Sequence, residues 1–499
     1  MFSRIVFSFK SFLTTHRNDI LALSFLISFL AILSYFLLEK DMAMGVYFVR
    51  DVFSYLNNAL DFAGYSSGLS SNRGLSPLIP FLTSLIFRLG YVQDYAIMII
   101  STLFFCLSGL SIYAFLRLRF NELYSLSGAV IFSTFSINLA WASKGMLDIP
   151  ALFFSILIIY FTFLAINKNS KYWLLVFPIF VLGFFTRYTI VLIIFVAFIS
   201  ILTVYNPLEY IKNNLKNIFS GISLGILTSV PFFLHYHLNK IPLFFLSQIN
   251  VISNETASAT EVIVKTNPFH YINNLPIYLS TLENPPYSIK SGAFQFFQLK
   301  WVGGEPSIIS YILLAIIVIG LIIYVSKLFS KKENILIVEK KDRGFILKIF
   351  IFLVSIVGFI FTFQNISVIY SIILFSIAIL SLYRLFYKSK IPFFNLDFLV
   401  FHWFMTNLIF FSSHVTKVDR YAITLTPAIV YFIVLATYMI YKQIESSKYN
   451  FSKLKKFNVF KIPRISKIFL PIALIIAVIS FTAIGFSNDP TTFDNQKPE

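Results

Sequence analysis

The chain has 499 residues, of which 58% are hydrophobic and only 12% charged, with a net charge of +18 and a mean hydropathy of +0.80. Soluble domains carry roughly 25% charged residues because their surface must face water, so this composition excludes a soluble fold and places the chain in the bilayer. The one cysteine, Cys106, sits in an apolar run, which excludes a disulfide framework and a thiolate metal site.

An apolar helix needs about 20 residues to cross a hydrocarbon core of about 30 Å. Taken in chain order, the first such stretch is 20–38, which ends in Glu39-Lys40-Asp41 and is too long for a cleavable signal core; it reads as a retained first helix. Residues 39–94 form a long connecting loop. Within it, 50–63 predicts an amphipathic helix with Val52, Tyr55, Leu56, Ala59 and Phe62 on one side, and 77–89, bearing Pro77 and Pro80, is too short to span and predicts an interfacial helix. Further spans are expected at 95–116, 124–140, 148–166, 172–186, 188–204 and 218–236, and a second long loop follows at 237–305. The remaining spans fall at 306–326, 345–363, 365–383, 395–413, 421–441 and 468–487. The expectation is an all-α integral membrane bundle of about thirteen crossings, a count read from these stretches.

Charge placement tests this layout through the positive-inside rule. With the N-terminus in the cytoplasm and 77–89 left non-spanning, 27 of the 40 Lys and Arg residues fall inside, against 8 of the 22 acids. Counting 77–89 as a span would turn the basic runs 327–348 and 442–467 outward. The +18 is therefore an orientation and lipid-surface signal rather than a nucleic-acid footprint. Both long loops, 39–94 and 237–305, then face outside, as does the polar tail SNDPTTFDNQKPE; Asn254-Glu255-Thr256 in the second loop fits a glycosylation acceptor. The division expected is 1–330, a transmembrane module with those two loops, and 331–499, the C-terminal helices with the basic cytoplasmic loop 442–467 and a short external tail.

Mid-span positions carry almost no ionisable group apart from His402, expected about one turn into its helix, and Asp397 near a cytoplasmic end. An ion-coupled transporter would place acids or bases near the midplane. The notable charges instead gather at the external boundary. Asp51 opens the amphipathic helix, where partial desolvation would raise its basicity, or where it simply complements the helix dipole. Asp148, two residues before Pro150, reads as an N-cap or as a site residue. Lys417, Arg420 and Tyr421 precede a late span, where Arg can grip a phosphate bidentately and Lys can act as a point charge, or both can snorkel. Arg187 lies at an external turn. His235 and His237 are candidates for a metal or substrate contact, although an i,i+2 pair does not share a helix face. No phosphate-binding glycine pattern is present in the cytoplasmic loops.

The order and side of these residues resemble the GT-C class of polyprenyl-phosphate-sugar-dependent glycosyltransferases, close to the protein O-mannosyltransferase and lipid A aminoarabinose transferase relatives. The resemblance rests on Asp51 with Tyr55 four residues on, the Pro-led helix from Leu75-Ser76-Pro77-Leu78, Asp148 opening a span, and the late Lys417-x-x-Arg420-Tyr421 followed by Pro427. It covers roughly residues 20–440. The chain departs from the relatives at Val52, where many carry Glu, at Ser76, where Pro is usual, and at Arg187, where Lys is common. The resemblance implies Asp51 as base for an acceptor hydroxyl, and Lys417, Arg420, Tyr421, Arg187 and Tyr55 as contacts to the donor phosphate or substrate. It implies Asp148 as a residue orienting acceptor or loop. The implied partners are a polyprenyl (dolichyl-type) phosphate sugar donor and a protein, lipid or glycan acceptor. Transfer is expected with inversion at the cell membrane's outer face. Whether a divalent metal assists is left open. The rival readings are a flippase or transporter of lipid-linked sugars and a polysaccharide polymerase or ligase.

Overall fold

The computed structural model describes residues 17–44, 50–65, 75–238, 268–280, 306–329, 343–363, 365–387, 391–413, 418–452 and 465–487. Lys417, Asn254-Glu255-Thr256 and the C-terminal tail lie outside the described residues. The described elements are all helical: α1 (Arg17–Met44), α2 (Arg50–Ala63), α3 (Leu78–Arg88), α4 (Tyr95–Leu116), α5 (Glu122–Thr134), α6 (Ser136–Trp141), α7 (Asp148–Asn167), α8 (Trp173–Thr186), α9 (Val191–Ile201) and α10 (Pro207–Leu238). The series continues with α11 (His270–Asn273), α12 (Leu275–Tyr278), α13 (Ile308–Leu328), α14 (Arg343–Thr362), α15 (Val368–Phe386) and α16 (Phe394–Ser413). A 3₁₀ segment (Asp419–Leu425) then leads into α17 (Thr426–Ser452), and α18 (Ile465–Ser487) follows.

Among the described residues ten helices are long and apolar enough to cross a membrane: α1, α4, α7, α10 and α13 to α18. Every backbone N–H and C=O in hydrocarbon must be satisfied within its own segment, which is why a chain this apolar resolves into helices. The protein is a multi-pass membrane bundle. The stretches expected at 172–186 and 188–204 form the shorter apolar helices α8 and α9, on either side of Arg187.

Two expectations need correction, and the span expected at 218–236 is found as part of a longer helix. The stretch 124–140 is not one helix. Phe135 (φ −60°, ψ 129°) leaves the helical region and separates α5 from α6. Hydrogen bonds compensate the break: the Asn138 side-chain Nδ2 donates to the Phe132 carbonyl at 2.7 Å, and the Ser136 backbone N–H donates to the Ser280 carbonyl at 2.6 Å. The span expected at 218–236 is the inner part of a 32-residue helix, about 48 Å long at 1.5 Å per residue. Its first turns are polar and Asn217 Nδ2 donates to Ser170 Oγ at 2.7 Å. The final expected loop 442–467 is helical as far as Ser452, because α17 runs on into it.

Polar contacts mark the two ends. At one, Arg117 grips Asp19 (2.7 and 3.1 Å), and Arg119 pairs with Asp397, which also accepts from the Tyr431 and Tyr324 hydroxyls at 2.6 and 2.8 Å. At the other end lie α2, α3, α11, α12 and the turns that follow α6 and α8. His402 is the ninth of the twenty residues of α16, fully buried and bonded to Ser376 Oγ at 2.8 Å, and so lies deeper than one turn.

Candidate active site

Helix α2 is amphipathic as its sequence predicts. Val52, Tyr55, Leu56 and Ala59 are buried, and Phe62 meets Phe81 of α3 edge to face with ring centroids 5.9 Å apart. Burying this stripe holds the helix flat on the bundle and turns Asp51, in its first turn, towards the end of α17; the Asp51 side chain stays 47% exposed.

The turn after α6 presses on α2 from the other side. Ser143 and Lys144 both donate to Asp41 at the end of α1, and Ser101 Oγ donates to the Ala142 carbonyl at 3.0 Å. Gly145 has φ +73°, and a Cβ there would sit 2.9 Å from Ile97 and 3.2 Å from Val52, so a larger residue meets both backbone strain and a clash. Val52 is fully buried in this contact. Position 52, where the resemblance departs, therefore packs against the 143–146 turn. The same turn sets Met146 Sδ 3.9 Å from Arg420 Nη1.

Asp148 is the first residue of α7, after Leu147 as the N-cap, so the alternative reading of it as the cap does not hold. Its carboxylate is 2% exposed and pairs with Arg187, the extended residue (φ −158°, ψ 126°) that ends α8. Arg420, one residue into the 3₁₀ segment, places Nη1 3.2 Å from Asp51 Oδ2 across 369 positions of sequence. The Tyr421 ring lies beneath both guanidinium groups, 5.2 Å from that of Arg187 and 5.7 Å from that of Arg420. Two acid–arginine pairs are thereby joined through one aromatic ring. The buried Arg420 Nε–H has no acceptor among the described residues.

Burial sets the electrostatics. It pushes the Tyr55 hydroxyl up to about 12, with the Asp51 charge adding to the rise, so Tyr55 remains a hydrogen-bond donor at neutral pH. It lowers the Arg187 guanidinium to about 10, which leaves it charged at neutral pH. The assembly offers a half-exposed carboxylate, two cations able to meet an oxyanion, and aromatic walls.

The structure thus brings Asp51, Tyr55, Asp148, Arg187, Arg420 and Tyr421 into one cluster. His235 and His237 stand apart. His235 stacks on Phe62 (4.4 Å between centroids), eleven residues along α2 from Asp51, and His237 is exposed. Among the described residues no three His, Cys, Asp or Glu side chains are grouped to hold a metal ion.

Sequence reasoning missed a second layer. Asp419 is buried and receives His270 Nε2 at 3.1 Å and the Tyr278 hydroxyl at 2.5 Å, while the Tyr271 hydroxyl donates to the Val418 carbonyl at 3.2 Å. The Asp41–Lys144 pair was missed too. Partners 149 and 103 residues apart leave no local spacing to read.

Residues 75–235 match the family model described as dolichyl-phosphate-mannose-protein mannosyltransferase. The matched stretch contains Asp148 and Arg187, begins after Asp51 and ends before Arg420. No curated protein matches the chain. The family match supports a membrane glycosyltransferase of the GT-C type.

Proposed function

We propose that the protein moves a sugar from a polyprenyl (dolichyl-type) phosphate donor to an acceptor hydroxyl at the extracytoplasmic face, with inversion. The observation that carries this reading is the 3.2 Å contact of Arg420 with Asp51. It puts a carboxylate able to take a proton beside a cation able to receive a phosphate. Nucleotide sugars are cytoplasmic, so a transferase facing outward needs a donor held in the membrane, and the bias of Lys and Arg towards the other side supports that orientation.

The donor phosphate competes with Asp51 for Arg420. Once the phosphate takes the guanidinium, the Asp51 carboxylate is released to meet the acceptor hydroxyl. The acceptor oxygen then attacks the anomeric carbon and its proton passes to Asp51. The bond from that carbon to the phosphate oxygen breaks, and polyprenyl phosphate leaves against Arg420 and Arg187, with Tyr55 donating a hydrogen bond. By resemblance, Lys417 adds a further charge to the phosphate. Asp148, almost wholly buried against Arg187, orients that arginine, which leaves Asp51 as the accessible carboxylate and favours a single displacement.

The test offers purified protein a panel of dolichyl- and undecaprenyl-phosphate monosaccharides with acceptors, read by mass spectrometry. Consumption of a donor by the wild type and loss with Asp51→Asn is the expected result. A panel left untouched, or equal turnover by the variant, overturns the reading; retained anomeric configuration in the product overturns the inversion.

A further inference from the structure

We propose that His270, Asp419 and Tyr278 are positioning residues that set the Arg420 guanidinium for the donor phosphate, so that the second outer segment tunes donor recognition without touching the donor. The inference rests on the transferase reading and deepens it.

Asp419 and Arg420 are consecutive in a 3₁₀ segment, where successive side chains diverge by about 120° at three residues per turn. When one faces Asp51, the other faces away. Asp419 turns into the 268–280 segment, where its Oδ1 takes both the His270 ring nitrogen and the Tyr278 hydroxyl. All three side chains are buried. Asn274 Nδ2 lies 3.3 Å from His270 Nδ1 and steadies the ring, and Tyr271 holds the Val418 carbonyl one residue earlier. Both residues preceding Arg420 are therefore clamped to one segment.

That segment is itself anchored at its far end. The broken helix at Phe135 presents the Ser136 N–H to the Ser280 carbonyl and the Ser136 hydroxyl to the Ile277 carbonyl at 2.7 Å. Ser280 Oγ accepts from the Ser307 N–H at the start of α13 at 2.8 Å. A strut runs from the α5–α6 break to Asp419. A small shift of Asp419 rotates the 3₁₀ turn and carries the guanidinium away from Asp51 and from any phosphate placed there.

Tyr278→Phe removes one hydroxyl and preserves the ring. His270→Ala removes the second partner, and His270→Gln keeps a side-chain N–H able to reach Asp419. Steady-state transfer is measured with donor and acceptor varied separately, together with binding of undecaprenyl phosphate alone to the purified chain in detergent. For Tyr278→Phe and His270→Ala we expect about a tenfold rise in donor KM, unchanged acceptor KM, and weaker undecaprenyl phosphate binding; a tenfold change corresponds to about 1.4 kcal/mol. His270→Gln restores most of the loss. In an Arg420→Ala background Tyr278→Phe has no further effect, because the group it positions is gone.

A fall in kcat with both KM values unchanged indicates lost active protein and overturns the inference. So does undecaprenyl phosphate binding that weakens with Arg420→Ala and not with Tyr278→Phe or His270→Ala, an outcome that leaves the transferase reading intact. Failure of the wild type to consume any dolichyl- or undecaprenyl-phosphate monosaccharide sinks the transferase reading and takes this inference with it.

Discussion

Asp51 and Asp148 are the same residue type on one cluster, yet their surroundings divide them. Asp51 is about half exposed and shares one guanidinium nitrogen, whereas Asp148 is 2% exposed and spent on Arg187. Asp51→Asn removes the group that competes with phosphate for Arg420, so donor binding should tighten while transfer falls by about 10²–10⁴, the usual worth of a general base. Isothermal titration with undecaprenyl phosphate and a transfer assay read the two effects separately. Breaking the Asp148–Arg187 pair acts on stability as well as on the proposed phosphate contact. Arg187→Met strands a buried carboxylate and should cost about 3–5 kcal/mol, and Asp148→Asn in the same chain should recover most of it. Thermal unfolding in detergent measures both. Asp51, Asp148, Arg187 and Arg420 were legible because charge is scarce in this chain and theirs falls at helix ends. Asp419 was read only as a neighbour of Arg420. Its meaning depends on His270 and Tyr278, which nothing in the local pattern connects to it.

Helices α2 and α3 could be read because amphipathic spacing and paired prolines act within a few residues. The division at Phe135 could not. The sequence from Leu123 to Trp141 holds no proline and no charge, and what permits the break is a set of contacts: Asn138 turned back to Phe132, Thr426 Oγ1 on Asn138 Oδ1 at 3.2 Å, and the Ser280 carbonyl. Asn138→Leu should therefore loosen this junction. Helix contacts are set just as closely at Gly221, where a Cβ would collide with the Trp173 carbonyl, and at Gly320, where it would meet the Ala436 backbone. Small residues allow such approach between membrane helices. Gly221→Ala and Gly320→Ala should each destabilise by about 1–3 kcal/mol, the cost of overpacking, visible as a lower midpoint in detergent unfolding. Midpoints equal to wild type would show that the helices part without penalty.

Across the whole molecule, the two ends differ in chemistry. One gathers Arg117, Arg119 and Arg384 at or just beyond helix ends, and the other gathers the acid–arginine cluster. The positive-inside orientation predicts that a membrane-impermeant maleimide labels Asp94→Cys in intact cells and Ser446→Cys only after permeabilisation; the opposite pattern inverts the proposed face of transfer. Native Cys106, held against Ser34 at 3.1 Å within α4, is a suitable silent background. The sequence by itself determined that the chain is a helical multi-pass membrane protein and that its rare charges fall at helix ends, because hydrocarbon penalises polar groups residue by residue and that cost is written locally. Only the tertiary structure decided that Asp51 meets Arg420, that Asp148 is spent on Arg187, and that the 268–280 segment grips Asp419. Those choices depend on helices from distant parts of the chain packing side by side, and no local period encodes which helix lies next to which.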